Sequence, residues 1–158
     1  MIAVIQRVRS AAVVADGILS GKIGHGLYIL LGVADGDTEC DSVALAEKIS
    51  KLRIFCDEND KMNLSVKDVG GEVLIVSNFT LNANYVHGNR PDYFGSASPD
   101  VANRLYEHFK AEMKNRISVC ESGVFGADMQ TEMITDGPVT IVMNSAVLVK
   151  TPRKDTAQ

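Results

Sequence analysis

The chain has 158 residues, 46% of them apolar and 23% charged, which fits one globular domain with a core of its own and gives no sign of a second. Its net charge of −4 argues against a protein that coats nucleic acid by counterion release, since that requires a broad basic face; any RNA contact is expected to be local. Cys40, Cys56 and Cys120 are widely spaced and form no CxxC or Cys/His pattern, so they read as free structural thiols, and neither metal nor cofactor is expected. No basic leader with an apolar core opens the chain and no apolar run approaches transmembrane length, so a cytoplasmic protein without membrane association is expected.

Met1 to Arg9 and Ala11 to Ala15 are rich in β-branched residues and predict strands, and Asp16-Gly17 is a hairpin signal leading to a strand over Ile18 to Ile23. Gly24-His25-Gly26 punctuates. Leu27 to Val33 is a continuous apolar run, the pattern of a buried strand. After the turn Asp35 to Thr38, Leu45, Ile49 and Leu52 fall on one helical face, so a helix is expected to cover a sheet. Asp57 to Lys61 and Val69 to Glu72 read as turns, and Val73 to Val76 as an apolar strand ending in Ser77-Asn78-Phe79-Thr80.

Asn82 to Ser98 is long and polar, a length at which loops in compact domains are usually functional or disordered. Ser98-Pro99 supplies an N-cap and a first-turn proline, and Val101, Leu105, Phe109 and Met113 mark the apolar face of a second helix. Ile117 to Cys120, Ala127 to Ile134 and Val139 to Asn144 predict further strands, the last two joined by a turn at Asp136-Gly137-Pro138. The whole predicts an α+β fold, a mostly antiparallel, barrel-like sheet with two main helices, in one domain over 1–149. Residues 150–158 read as a polar tail that frays.

The chemistry on offer is sparse. His25, His87 and His108 are the only imidazoles. A triad from Ser77 and His87 lacks a GxSxG elbow, and His108 reads as a solvated residue beside the apolar face of its helix. The stretch Gly21 to Gly26 has GxxGxG order and precedes a strand, which suits a hairpin better than a phosphate cradle. Lys48, Lys51 and Arg53 read as a solvated helix face.

Ser77-Asn78-Phe79-Thr80 and Thr135-Asp136-Gly137-Pro138-Val139-Thr140, with Gly123 to Gln130 and Lys61 to Ser65, resemble the signature of the D-aminoacyl-tRNA deacylases, over Met1 to about Ser145. The resemblance implies hydrolysis of the ester of D-aminoacyl-tRNA, and of glycyl-tRNA mischarged on tRNA(Ala), as chiral proofreading. It implies a homodimer with its site at the subunit interface, the aminoacyl-tRNA 3′ end as partner, and no DNA. It places the catalytic backbone at Ser77, Asn78, Phe79 and Thr80. It also implies a cis Gly137-Pro138 that reaches the partner's pocket, oriented by Arg7, with Phe125 and Met129 at the substrate. Asn78 and Thr135 depart from the family's glutamine and asparagine; because the contacts expected there come from backbone, activity is expected to survive. Two alternatives remain, a related deacylase for an L-aminoacyl-tRNA and a non-catalytic RNA-binding module.

Overall fold

In the computed structural model, described over residues 1–149, one strand organises the fold. β1 (Ile2–Ala15) runs without interruption where two segments were expected. On one edge it pairs antiparallel first with β3 (Gly26–Gly32) and then with β2 (Ile18–Ile23); on the other it pairs with β8 (Met129–Asn144) along its whole length. Its apolar residues do not keep one parity. Ala3 and Ile5 face one core, whereas Val8, Ala11 and Val13 face another. The switch coincides with irregularities against β8 at Gln6/Val8 and Val8/Ser10, as a one-residue slip must turn every following side chain to the opposite face.

The remaining strands close the sheet. β3 pairs parallel with β6 (Glu72–Ser77), and β6 with β7 (Cys120–Ser122). Parallel neighbours need long crossovers, and these are supplied by α1 (Glu39–Ser50) with the hairpin β4 (Phe55–Cys56) and β5 (Met62–Leu64), and by α2 (Pro99–Lys114). At the far edge the Ser20 hydroxyl donates to the Ser122 carbonyl at 2.9 Å, so β2 and β7 meet and the sheet is nearly a closed barrel. The mostly antiparallel expectation holds along β1, and the two parallel pairs modify it.

Burial explains the apolar runs. In β3, Leu27, Ile29 and Leu31 enter the helix-covered core while Tyr28 enters the barrel interior; in β6, Val73 and Ile75 do the first and Leu74 and Val76 the second. Both strands are therefore apolar at consecutive positions. Each fully buried Leu or Ile contributes about 2 kcal/mol. On α1, Leu45 and Ile49 pack inward as expected, and on α2, Leu105, Phe109 and Met113 do so. Val101 instead stays 37% exposed in the first turn, and Tyr106 completes the buried face.

Two expectations need correction. The segments Ala127 to Ile134 and Val139 to Asn144 are one strand, and Asp136-Gly137-Pro138 is an excursion within it. Thr135 pairs with Val8 and Thr140 with Gln6, so the longer stretch of β8 bows out and then resumes on the same partner in the same direction. β7 begins at Cys120, and Ile117 belongs to the core below α2. A short α3 (Ser145–Val149) follows β8, and the tail expected from Lys150 lies outside the described residues.

Gly26 shows how tightly β3 and β6 meet, since a Cβ there would stand 1.8 Å from the Glu72 carbonyl oxygen. Gly26→Ala is expected to cost about 3 kcal/mol, an overpacking penalty that backbone cannot relieve. Urea denaturation measures it; a variant as stable as the parent would refute this close approach.

Candidate active site

Ser77 ends β6 opposite Leu31, and the Asn78 N–H still donates to the Leu31 carbonyl at 2.8 Å. There the chain leaves the sheet. Asn78, extended at φ −148, caps a 3-10 turn over Phe79–Asn82, and its Oδ1 accepts from the Thr80 N–H at 3.2 Å and from the Thr80 hydroxyl. This is an Asx-type cap, which suits a side chain short enough to fold back on its own backbone. Within the segment expected to supply the catalytic backbone, the Thr80 N–H is thus engaged. The Phe79 N–H, first of the turn, has no acceptor within it.

The turn sits on β3 because Gly32 lacks a side chain. A Cβ there would stand 3.0 Å from both the Asn78 carbonyl oxygen and Leu81 Cβ. The Asn82 amide donates to the Val33 carbonyl at 2.8 Å, and the Ser96 hydroxyl donates to the Phe79 carbonyl at 3.3 Å. Phe79 meets Tyr93 edge-on with ring centroids 5.1 Å apart.

These groups wall a cavity of about 560 Å³ that also takes in Tyr106, Phe125 and Met129. Ser77, Asn78, Phe79, Phe125 and Met129 are thereby brought together, while Thr80 belongs to the same turn but not to the lining. The lining holds hydroxyls and an amide but no imidazole, thiol, ammonium or carboxylate. Tyr106 is buried, and its hydroxyl donates to the Ile75 and Gly123 carbonyls at 3.0 and 3.2 Å. Burial pushes this phenol far above its ordinary range, so it holds its proton and acts as a fixed donor rather than a base. Tyr93, Ser96 and Tyr106 were not anticipated in the site. Tyr106 was detectable from its place beside Leu105 on the α2 stripe; the other two lie in an irregular loop where no periodicity operates.

Gly137, Pro138 and Arg7 are elsewhere. Arg7 is 9% exposed. Its Nε donates to the Asp136 carbonyl at 3.1 Å and pairs with the Asp136 carboxylate at 3.0 Å, and Nη1 donates to the Ile54 carbonyl at 2.6 Å. A buried guanidinium satisfied in this way fixes its partner's backbone, and the next two residues, Gly137 and Pro138, project into solvent. Their peptide bond is cis, and Gly137 has φ +137, a region that glycine tolerates. Val8 pairs with Gly26, and Leu31 with Ser77. Those rungs lie about 17 Å apart along β3 at the usual strand rise, so the dipeptide and the Ser77 turn occupy opposite ends of it.

The histidines do not complete a catalytic set. His25 Nε2 is 4.0 Å from the Asp136 carboxylate and its ring meets Phe55 edge-on. His87 is exposed in the loop and outside the lining. His108 is not simply solvated, because its Nδ1 is buried without a partner and Nε2 lies 3.8 Å from Glu39 between α1 and α2. No group of three or more potential metal ligands occurs among the described residues.

The sequence profile described as D-Tyr-tRNA(Tyr) deacylase matches residues 4–144. The chain belongs to that family. A D-aminoacyl-tRNA deacylase of Koribacter versatilis (strain Ellin345) is 51% identical over 142 residues, 90% of this chain and 95% of the relative. One from Thermosipho africanus (strain TCF52B) is 52% identical over 145 residues, 92% and 97% of the two. Among solved structures, a c-Myc DNA unwinding element binding protein is 37% identical with TM-score 0.86, covering 91% of this chain and 98% of that one. A probable eukaryotic D-amino acid tRNA deacylase, 16% identical, shares the fold with TM-score 0.77 over 90% of this chain and 97% of its own.

Two outcomes test this geometry. Tyr106→Phe removes the buried hydroxyl that the Ile75 and Gly123 carbonyls accept from, the Ile75 carbonyl keeping its bond from the Gly123 N–H, and is expected to cost about 1–2 kcal/mol, read as a lower urea midpoint; an unchanged midpoint would remove Tyr106 from its supporting role. Burial pushes the Cys120 thiol up to about 11, whereas Cys40 and Cys56 are exposed. The thiolate being the reactive form, a thiol reagent near neutral pH is expected to modify Cys40 and Cys56 promptly and Cys120 slowly, its rate rising toward its own pKa. Equal rates for all three would contradict the burial.

Proposed function

We propose that this D-aminoacyl-tRNA deacylase, a hydrolase of the ester joining a D-amino acid to the tRNA 3′ end, works through backbone and substrate groups without a side-chain nucleophile. The observation that carries the reading is the cavity lining, apolar and aromatic with hydroxyls but no general base. An aminoacyl ester is already activated, and the neighbouring ribose hydroxyl lies beside the reacting carbonyl, so the protein has only to position the ester and stabilise an oxyanion. The Phe79 N–H serves as that donor. Asn78 holds Thr80 and the turn in shape, Ser77 anchors it to the sheet, and Phe125 and Met129 pack the amino acid. Water, assisted by the 2′-hydroxyl, adds to the carbonyl; the tetrahedral intermediate expels the ribose 3′ oxygen, which takes a proton, releasing amino acid and free tRNA.

Gly137-Pro138 reads chirality. Since the dipeptide is about 17 Å along β3 from its own chain's cavity, it serves the cavity of a second copy, in a homodimer with the site at the subunit interface. Its exposure and the Arg7–Asp136 anchor support this role, as does the 68% exposure of Val142 nearby on β8. Carbonyl oxygens inserted from the partner leave room for a hydrogen on one side of the α-carbon and collide with an L side chain, so selection works by exclusion. Glycine presents no side chain to either side, and glycyl-tRNA mischarged on tRNA(Ala) is accepted as well. The enzyme grips the 3′ end in the cytoplasm, where charged tRNA is used; the net charge of −4 gives no purchase on duplex DNA, and no helix among the described residues is long and apolar enough to cross a membrane.

Single-turnover release from one tRNA charged with D- or L-tyrosine, without added metal, is the test. The D-ester is expected to be lost and the L-ester spared. Loss of the L-ester alone would indicate a deacylase of opposite chirality, and loss of neither a non-catalytic RNA-binding module. Thr80→Ala should keep activity within about tenfold, whereas removing the terminal 2′-hydroxyl from the tRNA should slow hydrolysis by roughly 10²-fold or more; the reverse order would restore a side-chain mechanism. Light scattering should give the mass of two chains, and a monomer would leave Gly137-Pro138 without a cavity to serve.

A further inference from the structure

The loop between the 3-10 turn and α2 is built, not slack. Asn84 and Asp92 exchange backbone hydrogen bonds at 2.8 and 2.9 Å, and the Asn84 amide donates to the Asp92 carboxylate at 3.0 Å. The Val86 N–H donates to Asn84 Oδ1, and the Phe94 N–H to the Asp92 carboxylate. Beyond it the Asp35 N–H donates to the Gly95 carbonyl and the Ala97 N–H to the Val33 carbonyl, at 2.9 and 3.1 Å, which ties the segment to the end of β3. A ribbon so anchored packs Tyr93 against Phe79 but turns three other apolar side chains outward: Tyr85 is 78%, Val86 74% and Phe94 92% exposed. Phe94 lies immediately beside Tyr93, which lines the cavity and packs on Phe79.

We infer that Phe94 and Tyr85 form a stacking platform at the cavity mouth for the nucleobases of the unpaired 3′ strand that precedes the esterified nucleotide. The inference rests on the deacylase reading of the same site. A substrate whose aminoacyl end enters the cavity must trail its next nucleotides across the adjoining surface, and here that surface presents aromatic faces. The charge of the ribbon selects this chemistry over phosphate capture. Between Asn82 and Ser98 the only formally charged residues are Arg90 and Asp92, a neutral pair, so affinity has to come from base–aromatic stacking, which tolerates any sequence and depends little on salt.

The experiment compares two substrates, D-tyrosyl-tRNA and the D-tyrosyl ester of adenosine, which lacks the preceding nucleotides. For Phe94→Ala the KM for the tRNA is expected to rise about tenfold, the size of one lost stack, with kcat held and the adenosine ester hydrolysed as by the parent. Phe94→Tyr should restore the tRNA KM, and the ratio of variant to parent should be the same at low and raised salt. Equal loss on both substrates, no loss on the tRNA, or a change in the mass of the assembly by light scattering would overturn the platform, the last by making Phe94 a contact between protein chains. Failure of the parent to cleave either ester would overturn the deacylase reading and this inference with it, a result distinct from a variant that fails selectively.

Discussion

The pairing of β1 on both edges is the constraint on which the rest of this structure depends. A 14-residue strand cannot serve a helix-covered core and a barrel interior with the same face, and the break around Arg7 and Val8 lets it serve both. The break has a second consequence. β8 must match it, and it does so by bowing out between Thr135 and Thr140, which places Gly137-Pro138 on a protrusion in the middle of an otherwise regular strand. Arg7 stands at the point of the break, where its guanidinium is buried against the Asp136 carboxylate and two carbonyls. Stability and the placing of the dipeptide thus draw on the same few residues.

The opposite end of β3 follows a different logic. There the sheet stops, because the chain after Ser77 folds into a turn that Asn78 caps and Gly32 seats. A strand that ends leaves N–H groups without ladder partners, and an apolar barrel end leaves space that water enters at a cost. The combination is a pocket of apolar groups, hydroxyls and one amide beside a strand end. Such a site is poor at chemistry that needs a strong base and adequate for a substrate that carries its own neighbouring hydroxyl. Tyr106 belongs to this economy of groups: its hydroxyl, held by two carbonyls and by burial, supports β6 and the Gly123 segment from below.

β3, paired with β6, joins the two ends. β3 and β6 are buried on both faces and meet closely at Gly26, so neither slides without exposing one of the cores. A dipeptide and a pocket held on such a frame keep their geometry, and the proposed selection by exclusion needs that rigidity, because a collision that the backbone can yield to discriminates nothing.

How much of this was legible in the chain follows from the range of the interactions. The apolar runs Leu27 to Leu31 and Val73 to Val76, the Asp16-Gly17 hairpin and the Ser98-Pro99 helix start are local patterns, and local patterns suffice to predict those elements. The motif segments around Ser77 and Gly137 were likewise readable by resemblance. Gly137-Pro138 as an interruption of one strand was not, because a Gly-Pro pair has the same local signature in a hairpin as in a bulge, and only continued pairing with β1 distinguishes them. Nor was the parallel pairing of β3, β6 and β7, which depends on where α1 and α2 return the chain. Tyr93, Ser96 and Tyr106 joined the cavity only when loop and helix packed on the strand end. The sequence by itself determined the long apolar strands, the two main helices and the motif segments; tertiary structure decided that the motifs stand at opposite ends of β3, since separation in space arises from pairing between residues far apart in the chain.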